Sequence, residues 1–185
     1  MAWLMKRSLC VLLLFLLTAC SPWDQEEDST GRAVTLLADG AEIPLAVRAA
    51  NDGQTNRERH EKQYQALVEL IEPGNIPYIQ LGESIEVHLA EVDDADYELT
   101  DVILLPDGSY KYKMPDNGSQ TVVISGGSGS FELSINPAAF LSSSTSDYEP
   151  GATLRGFRLS GMGGGELQDI YFVLRTDAGS VGPSL

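Results

Sequence analysis

Apolar residues recur at every second position along four stretches of the chain after Ile76. This period of two is typical of β-strands that bury one face. Turn-forming segments rich in Gly, Pro, Asn, Asp and Ser separate the stretches. The pattern predicts roughly eight or nine short strands and a mainly β domain. The alternating apolar residues are Ile85, Val87 and Leu89; Tyr110, Tyr112 and Met114; Phe131, Leu133 and Ile135; and Ile170, Phe172 and Leu174.

One segment, at about 56–72, has the period of a helix. Its apolar residues fall at i, i+3, i+4 and i+7, and Pro73 with Gly74 follows them as a stop signal. The opposite face is charged, so we expect an amphipathic helix near the start of the domain that packs its apolar stripe on the domain itself. The stripe consists of Tyr64, Leu67, Val68 and Ile71.

Three local features refine the β prediction. Asp39-Gly40 predicts the turn of a hairpin between 33–37 and 42–48. The continuous apolar run 102–105 favours a central strand, and Gly156 indicates a bulge in the strand that contains it. Asn136 followed by Pro137 is typical of a capped single helical turn.

The first twenty residues have the layout of an export signal. Lys6 and Arg7 precede an apolar core at 9–17, which is too short to cross a bilayer as a stable helix. The segment ends in Leu17-Thr18-Ala19-Cys20. An ordinary secretory signal requires a small residue where Leu17 stands, so simple secretion fits less well. An uncleaved anchor also fits less well, because it would need about 20 apolar residues.

This ending resembles the lipobox of bacterial lipoproteins. The resemblance implies that the Cys20 thiol receives a diacylglyceryl group, that cleavage follows Ala19, and that Cys20 becomes the acylated first residue. It predicts a signal peptide at 1–19, an acidic tether at 20–32 and a single domain at 33–185. It also implies a lipid-anchored protein on the extracytoplasmic face of the cell membrane.

Charge narrows the set of partners. The chain has 12 Lys and Arg against 27 Asp and Glu, for a net charge of −15. Loss of Lys6 and Arg7 with the signal moves this value to −17. Nucleic acid is therefore disfavoured as a partner, because phosphates would be repelled. Cys10 leaves with the signal and Cys20 is acylated, so packing without a disulfide must hold the domain.

By pattern, the segment 76–177 resembles an immunoglobulin-like β-sandwich of the kind found on bacterial surfaces. The Cys and Trp signature of antibody domains is absent from it. The fold class expected is mainly β, an immunoglobulin-like sandwich with one amphipathic helix near its start.

Candidate site residues fall into three groups. Tyr side chains on the predicted strands offer contacts for a ligand, and three Arg on C-terminal strands offer a carboxylate-binding spot, although ion pairs explain them equally well. Asp side chains in a predicted turn are weak Ca²⁺ candidates, with a solvated acidic loop as the alternative. The groups are Tyr110, Tyr112 and Tyr148; Arg155, Arg158 and Arg175; and Asp93, Asp94 and Asp96.

Motifs for phosphate binding, metal-dependent hydrolysis or a nucleophile elbow do not occur in the sequence. We therefore expect a non-catalytic binding or accessory module without a cofactor. Its expected partners are the membrane, through the lipid on Cys20, and an envelope protein or glycan. The alternatives are a structural subunit of an envelope complex, a Ca²⁺-binding module or a carbohydrate-active enzyme.

Overall fold

The described residues form nine strands, which pair antiparallel, and one α-helix. The structure is a computed structural model, and it describes residues 33–49, 57–90, 92, 94–113, 119–162 and 168–179. The helix, α1, spans Arg57–Leu70, close to its predicted bounds. Short 3-10 turns lie at Pro73–Asn75, Pro137–Leu141 and Thr145–Tyr148. The strands are β1 (Val34–Ala38), β2 (Ala41–Glu42), β3 (Leu45–Ala49), β4 (Ser84–Leu89), β5 (Asp94–Leu104), β6 (Ser119–Ser125), β7 (Ser128–Glu132), β8 (Thr153–Met162) and β9 (Gln168–Thr176).

All nine strands belong to one sheet, in the order β2-β1-β4-β7-β6-β5-β8-β9-β3. The sheet is strongly curled into a half-barrel. Phe131 of β7 and Phe172 of β9 lie four places apart in this order, yet their ring centroids are 6.3 Å apart across the interior. Strands with such separated places meet only if the sheet bends back on itself. Phe172 also stacks on Phe157 of β8 at 5.0 Å and an interplanar angle of 6°.

The main core fills the concave face of the sheet. Most of the alternating residues predicted to point inward do so, among them Ile85, Val87, Phe131 and Leu133, each at most 4 % exposed. Ile135 does not, because it lies beyond the end of β7 and is 50 % exposed. All strands except the two-residue β2 contribute a fully or partly buried side chain to this cluster. The mainly β prediction is therefore confirmed.

Helix α1 covers part of the convex face. Tyr64, Leu67 and Val68 are buried and form a second cluster with Tyr171 and Val173 of β9. Strand β9 is consequently buried on both faces, although its sequence alternates like a half-buried strand. The expectation that the helix stripe packs on its own domain is confirmed. Among the helices of the described residues, none combines the length and apolarity needed to cross a membrane.

Gly156 lies in a regular part of β8, where it lets helix α1 pack closely on the sheet. The β5–β8 register continues through the Val102–Gly156 pair without an extra residue. A Cβ at this position would lie 2.9 Å from the Tyr64 ring and from a Leu104 methyl group. The prediction of a bulge was therefore wrong, because the glycine makes room for an aromatic ring of α1.

The predicted N-terminal hairpin is only partly present. Asp39 and Gly40 have φ values of 48° and 75°, as a two-residue turn of type I′ requires. The second strand then divides, since β2 pairs with β1 whereas β3 pairs with β9 at the other end of the sheet. Residues 41–49 thus form the strands at both ends of the sheet.

Two further predictions differ from the structure. Residues 110–113 form a loop with a single bridge, Leu104 to Tyr110, instead of a strand, and Met114 lies outside the described residues. The immunoglobulin-like sandwich is not confirmed, because the nine strands form one curled sheet instead of two separate layers. Residues 102–104 of the predicted apolar run do lie in a central strand, as the end of the eleven-residue β5, and Leu105 follows that strand.

Candidate functional site

The sheet opens between β6 and β7, and this opening is the candidate site. Their only register pair is Ser125 with Ser128, directly at the hairpin turn. Gly129 still lies close to β6, since a Cβ there would be 2.5 Å from the Val123 carbonyl oxygen. Beyond this point the two strands separate, because β6 follows β5 while β7 follows β4. We call the resulting opening the β6–β7 cleft.

The β6–β7 cleft contains a cavity of about 190 Å³. Side chains of the main core form its apolar floor, and polar groups of β5, β6 and the segment after β7 surround them. The volume is below the roughly 300–1,000 Å³ typical of pockets for drug-sized ligands, so the cavity suits a small group. The lining includes Leu99, Phe131, Leu133 and Phe157 as apolar residues and Asp101, Gln120, Glu132, Ser134 and Arg155 as polar ones.

A buried ion pair lies at the edge of this cavity. The guanidinium of Arg155 donates to both carboxylate oxygens of Asp101, with Nε 3.1 Å from Oδ1. It also donates from Nη1 to the Ser134 carbonyl oxygen at 2.9 Å. The Arg155 side chain is only 3 % exposed and that of Asp101 is 21 % exposed. Two parallel hydrogen bonds fix a planar guanidinium in both position and orientation.

Strand parity explains why these charges point inward. Arg155 shares a strand face with Phe157 and Leu159 of β8, and Asp101 shares one with Leu99 of β5. Asn136 also supports the ion pair, because its Nδ2 donates to the main-chain carbonyl oxygen of Asp101 at 3.3 Å. Asn136 Oδ1 accepts from the Ala138 amide at 2.9 Å and so caps the 3-10 turn, as predicted. The pair is therefore held rigidly from three sides.

A second polar network lies on the opposite, convex face beneath α1. Arg158 Nη1 lies 2.9 Å from His60 Nε2, and His60 Nδ1 lies 2.7 Å from the Tyr171 hydroxyl. Since Arg only donates, Nε2 accepts and the proton of the neutral ring sits on Nδ1. Tyr171 in turn donates to Asp169 Oδ2 at 3.2 Å.

This network docks the helix. Tyr171 is fully buried and Asp169 is 4 % exposed, so neither group can meet a ligand. Burial, together with the neighbouring Asp169, raises the pKa of the Tyr171 phenol well above its usual value. The phenol therefore stays protonated and acts as a hydrogen-bond donor over the physiological range. His60 is thus a packing residue, as predicted.

The three candidate Tyr residues do not form a common surface. The Tyr110 ring packs edge-on against Tyr64 at 6.1 Å and lies under Arg57 at 4.4 Å. Tyr112 packs against the cluster of Ile103 and Ala138. Tyr148 is 42 % exposed, but its hydroxyl is bound to the Phe140 and Ser142 carbonyl oxygens. Their role in ligand binding stays a prediction.

Tyr112 has a buried hydroxyl without a partner among the described residues. A buried, unsatisfied hydroxyl costs about 1–3 kcal/mol of stability. We therefore expect Tyr112→Phe to raise the free energy of unfolding by about this amount, as measured by urea denaturation. The matched control is Tyr148→Phe, which removes a hydroxyl that is exposed and already hydrogen-bonded. This substitution should not stabilise the protein. A destabilised Tyr112→Phe variant would contradict the assignment.

The three candidate Arg residues are also divided between the two faces. Arg155 points into the β6–β7 cleft, whereas Arg158 lies on the convex face with His60. Arg175 donates from Nε to the Gly151 carbonyl oxygen at 2.8 Å. Arg175 pairs with Leu154 of β8, four residues before Arg158 on the same strand. Arg158 and Arg175 are therefore separated by roughly 13 Å along the strand direction. The structure does not assemble them into one carboxylate-binding spot.

The acidic candidates lie in a strand and not in a turn. Asp94 and Asp96 belong to β5, and Asp93 lies outside the described residues. Asp94 Oδ1 accepts from Ser125 Oγ at 2.9 Å and from the Gly126 amide at 3.3 Å, so it fastens the β6–β7 turn. In the part of the chain that the structure describes, no cluster of three or more His, Cys, Asp or Glu could hold a metal ion.

The sequence analysis missed Asp101, Gln120 and Ser134 as site residues. A signal existed for Asp101, because it directly precedes the apolar run 102–105 and shares its strand face with Leu99. A charged residue at an inward position of a strand requires a buried partner. Gln120 and Ser134 carried no such signal, since their place in the cleft depends on the separation of two strands.

No protein-family model matches this chain, and no curated protein matches it either.

Proposed function

We propose that the chain is a lipid-anchored extracytoplasmic protein whose domain is a non-catalytic binding module, with the β6–β7 cleft as its ligand site. The observation that carries this proposal is the separation of β6 from β7, which gives access to the interior of the sheet. A sheet that served only as a scaffold would be more stable with this gap paired. The gap instead holds a rigid polar pair above an apolar floor, which suits recognition.

The chemistry of the cleft favours binding over catalysis. The donors of Arg155 are directed at Asp101 and Ser134, and both ends of the Asn136 amide are bonded. Among the described residues that line the cleft there is neither a His nor a Cys, so a histidine base or thiol nucleophile is not provided there. Fixed polar groups of this kind orient a ligand.

The location rests on the lipobox. Two acyl chains anchor a protein stably, whereas one does not. We expect Cys20→Ala to abolish acylation and to release the protein or leave its signal uncut. The measurement is fractionation of cells with labelling by a fatty acid. Retention of label and of membrane association in Cys20→Ala would refute the lipid anchor.

The cleft itself is tested by filling it. Gln120 shares the inward face of β6 with Val122 and Ile124, so Gln120→Trp should occupy the cavity. We expect the intact protein to capture a partner from solubilised envelope membranes and Gln120→Trp to lose it. Ala66→Trp, on the exposed face of α1, is the control and should retain capture. Equal capture by both variants would exclude the cleft as the binding site.

The immunoglobulin-like sandwich also stays a proposal. Its support is that two halves of the sheet, β2-β1-β4-β7 and β6-β5-β8-β9-β3, contribute side chains to one core from opposite sides. They are joined through the β6–β7 turn and through residues 41–49. A crystal structure that resolves the strand pairs at these two junctions tests it.

A further inference from the structure

The two strands that border the β6–β7 cleft each present an edge without a ladder partner. Among the described residues, Ser119–Ile124 of β6 pair only with β5, and Gly129–Glu132 of β7 pair only with β4. Gly129 still lies against Val123, so backbone N–H and C=O groups are free to pair with an added strand from Ser119 to Val122 of β6 and beyond Gly129 of β7. Most sheets have free edges at their two ends, whereas this sheet has them in its middle.

From these edges we propose that the ligand of the cleft is an extended peptide segment of a partner protein, which adds as a strand along β6. This inference rests on the proposed function and specifies its ligand. Strand addition takes affinity from main-chain hydrogen bonds and specificity from pockets that receive alternate side chains. The free edge of β6 runs from Ser119 to Val122, because Gly129 lies against Val123. The cavity lies beside its first two residues. One inward side chain of the peptide therefore enters the cavity.

The cavity indicates which side chain this is. Asp101 and Glu132 are acidic, and Arg155 supplies the single positive charge among the lining residues. Since Arg155 is committed to Asp101, the site is left with a net negative charge. A Lys side chain fits, because its stem covers the apolar floor while its ammonium reaches the carboxylates. The acidic chain as a whole also attracts a basic partner.

The outer face of β6 supports the same mode of binding. Thr121 has the outward parity of β6 and is exposed. An added antiparallel strand would place an outward side chain beside it, where a cross-strand contact between β-branched side chains is favourable. The partner segment is thus expected to alternate, with Lys inward at the cavity and a β-branched residue outward next to Thr121.

The experiment uses synthetic peptides with the acylated or soluble full mature chain. The probe is a fluorescent peptide of about seven residues that alternates Val and Thr and carries Lys at its centre. Three controls have the same composition apart from one change each: N-methylation of alternate backbone amides, Pro near the centre, or Glu in place of Lys. We expect measurable binding by fluorescence anisotropy, a loss of at least tenfold with each control, and slower amide exchange in 119–122.

Outcomes separate the two proposals. Binding that survives N-methylation and Pro shows that the main chain is not recognised, and it overturns strand addition. Absence of binding by all peptides, while Gln120→Trp still abolishes partner capture, overturns the peptide ligand but leaves the cleft as the site. If the probe binds equally well to wild type and Gln120→Trp, both the peptide and the cleft are excluded.

Discussion

Asp101→Ala should lower the free energy of unfolding by about 3–5 kcal/mol, because it leaves the Arg155 guanidinium buried without its counter-charge. Arg155 is 2 % exposed, so its guanidinium is largely withdrawn from water in the folded protein and depends on the carboxylate for its counter-charge. For a domain of this size, each kcal/mol shifts the melting temperature by about 2–4 °C. A fall of about 6–20 °C is therefore expected in thermal denaturation followed by circular dichroism.

The control removes both charges. In the double variant Asp101→Leu with Arg155→Met, no charge remains buried, so most of the stability should return. If the double variant is as unstable as Asp101→Ala, the loss comes from local packing and the ion pair is not its cause.

Phe172→Ala should be as damaging, with a loss of about 3–5 kcal/mol. The ring is fully buried and touches Phe157 of β8 and Phe131 of β7 across the interior. Its removal leaves a cavity at the place where distant strands meet, so the curl of the sheet loses its central contact. Urea denaturation with a linear extrapolation gives the free energy directly.

Val123→Ala is the matched control for this prediction. It also truncates an apolar strand residue, but Val123 is 62 % exposed, so its effect should stay within about 0.5 kcal/mol. Similar losses for the two variants would mean that the interior is not packed around Phe172.

Local sequence patterns predicted what depends on neighbouring residues. The helix at 57–70, the Asp39-Gly40 turn and the Asn136 cap each follow from a few adjacent side chains, and all three are present. Inward and outward strand residues such as Ile85 and Glu86 also followed from their alternation. These features need no knowledge of which strands are neighbours.

Features that depend on distant parts of the chain were not predicted. The course of residues 41–49 between two edges depends on where β9 lies, and the burial of both faces of β9 depends on α1. Tyr110 and Tyr112 alternate like strand residues, but neighbouring groups hold them in a loop, since the Tyr110 amide donates to Glu61 at 2.7 Å. The cleft arises because β6 and β7 follow different partners. No single stretch of sequence encodes that difference.

The division of residues 41–49 between two edges sets an order of events during folding. Leu45 pairs with Phe172, so the last edge of the sheet cannot be satisfied until the C-terminal strand is available. Pairs so distant along the chain form slowly, because the entropy of closing a long loop must be overcome first. The β1–β2 hairpin and β4 can pair early, whereas β3 must wait with its backbone exposed. In the export that we propose, the N-terminal strands would therefore reach the far side of the membrane with the sheet unfinished, and β9 would complete it on arrival.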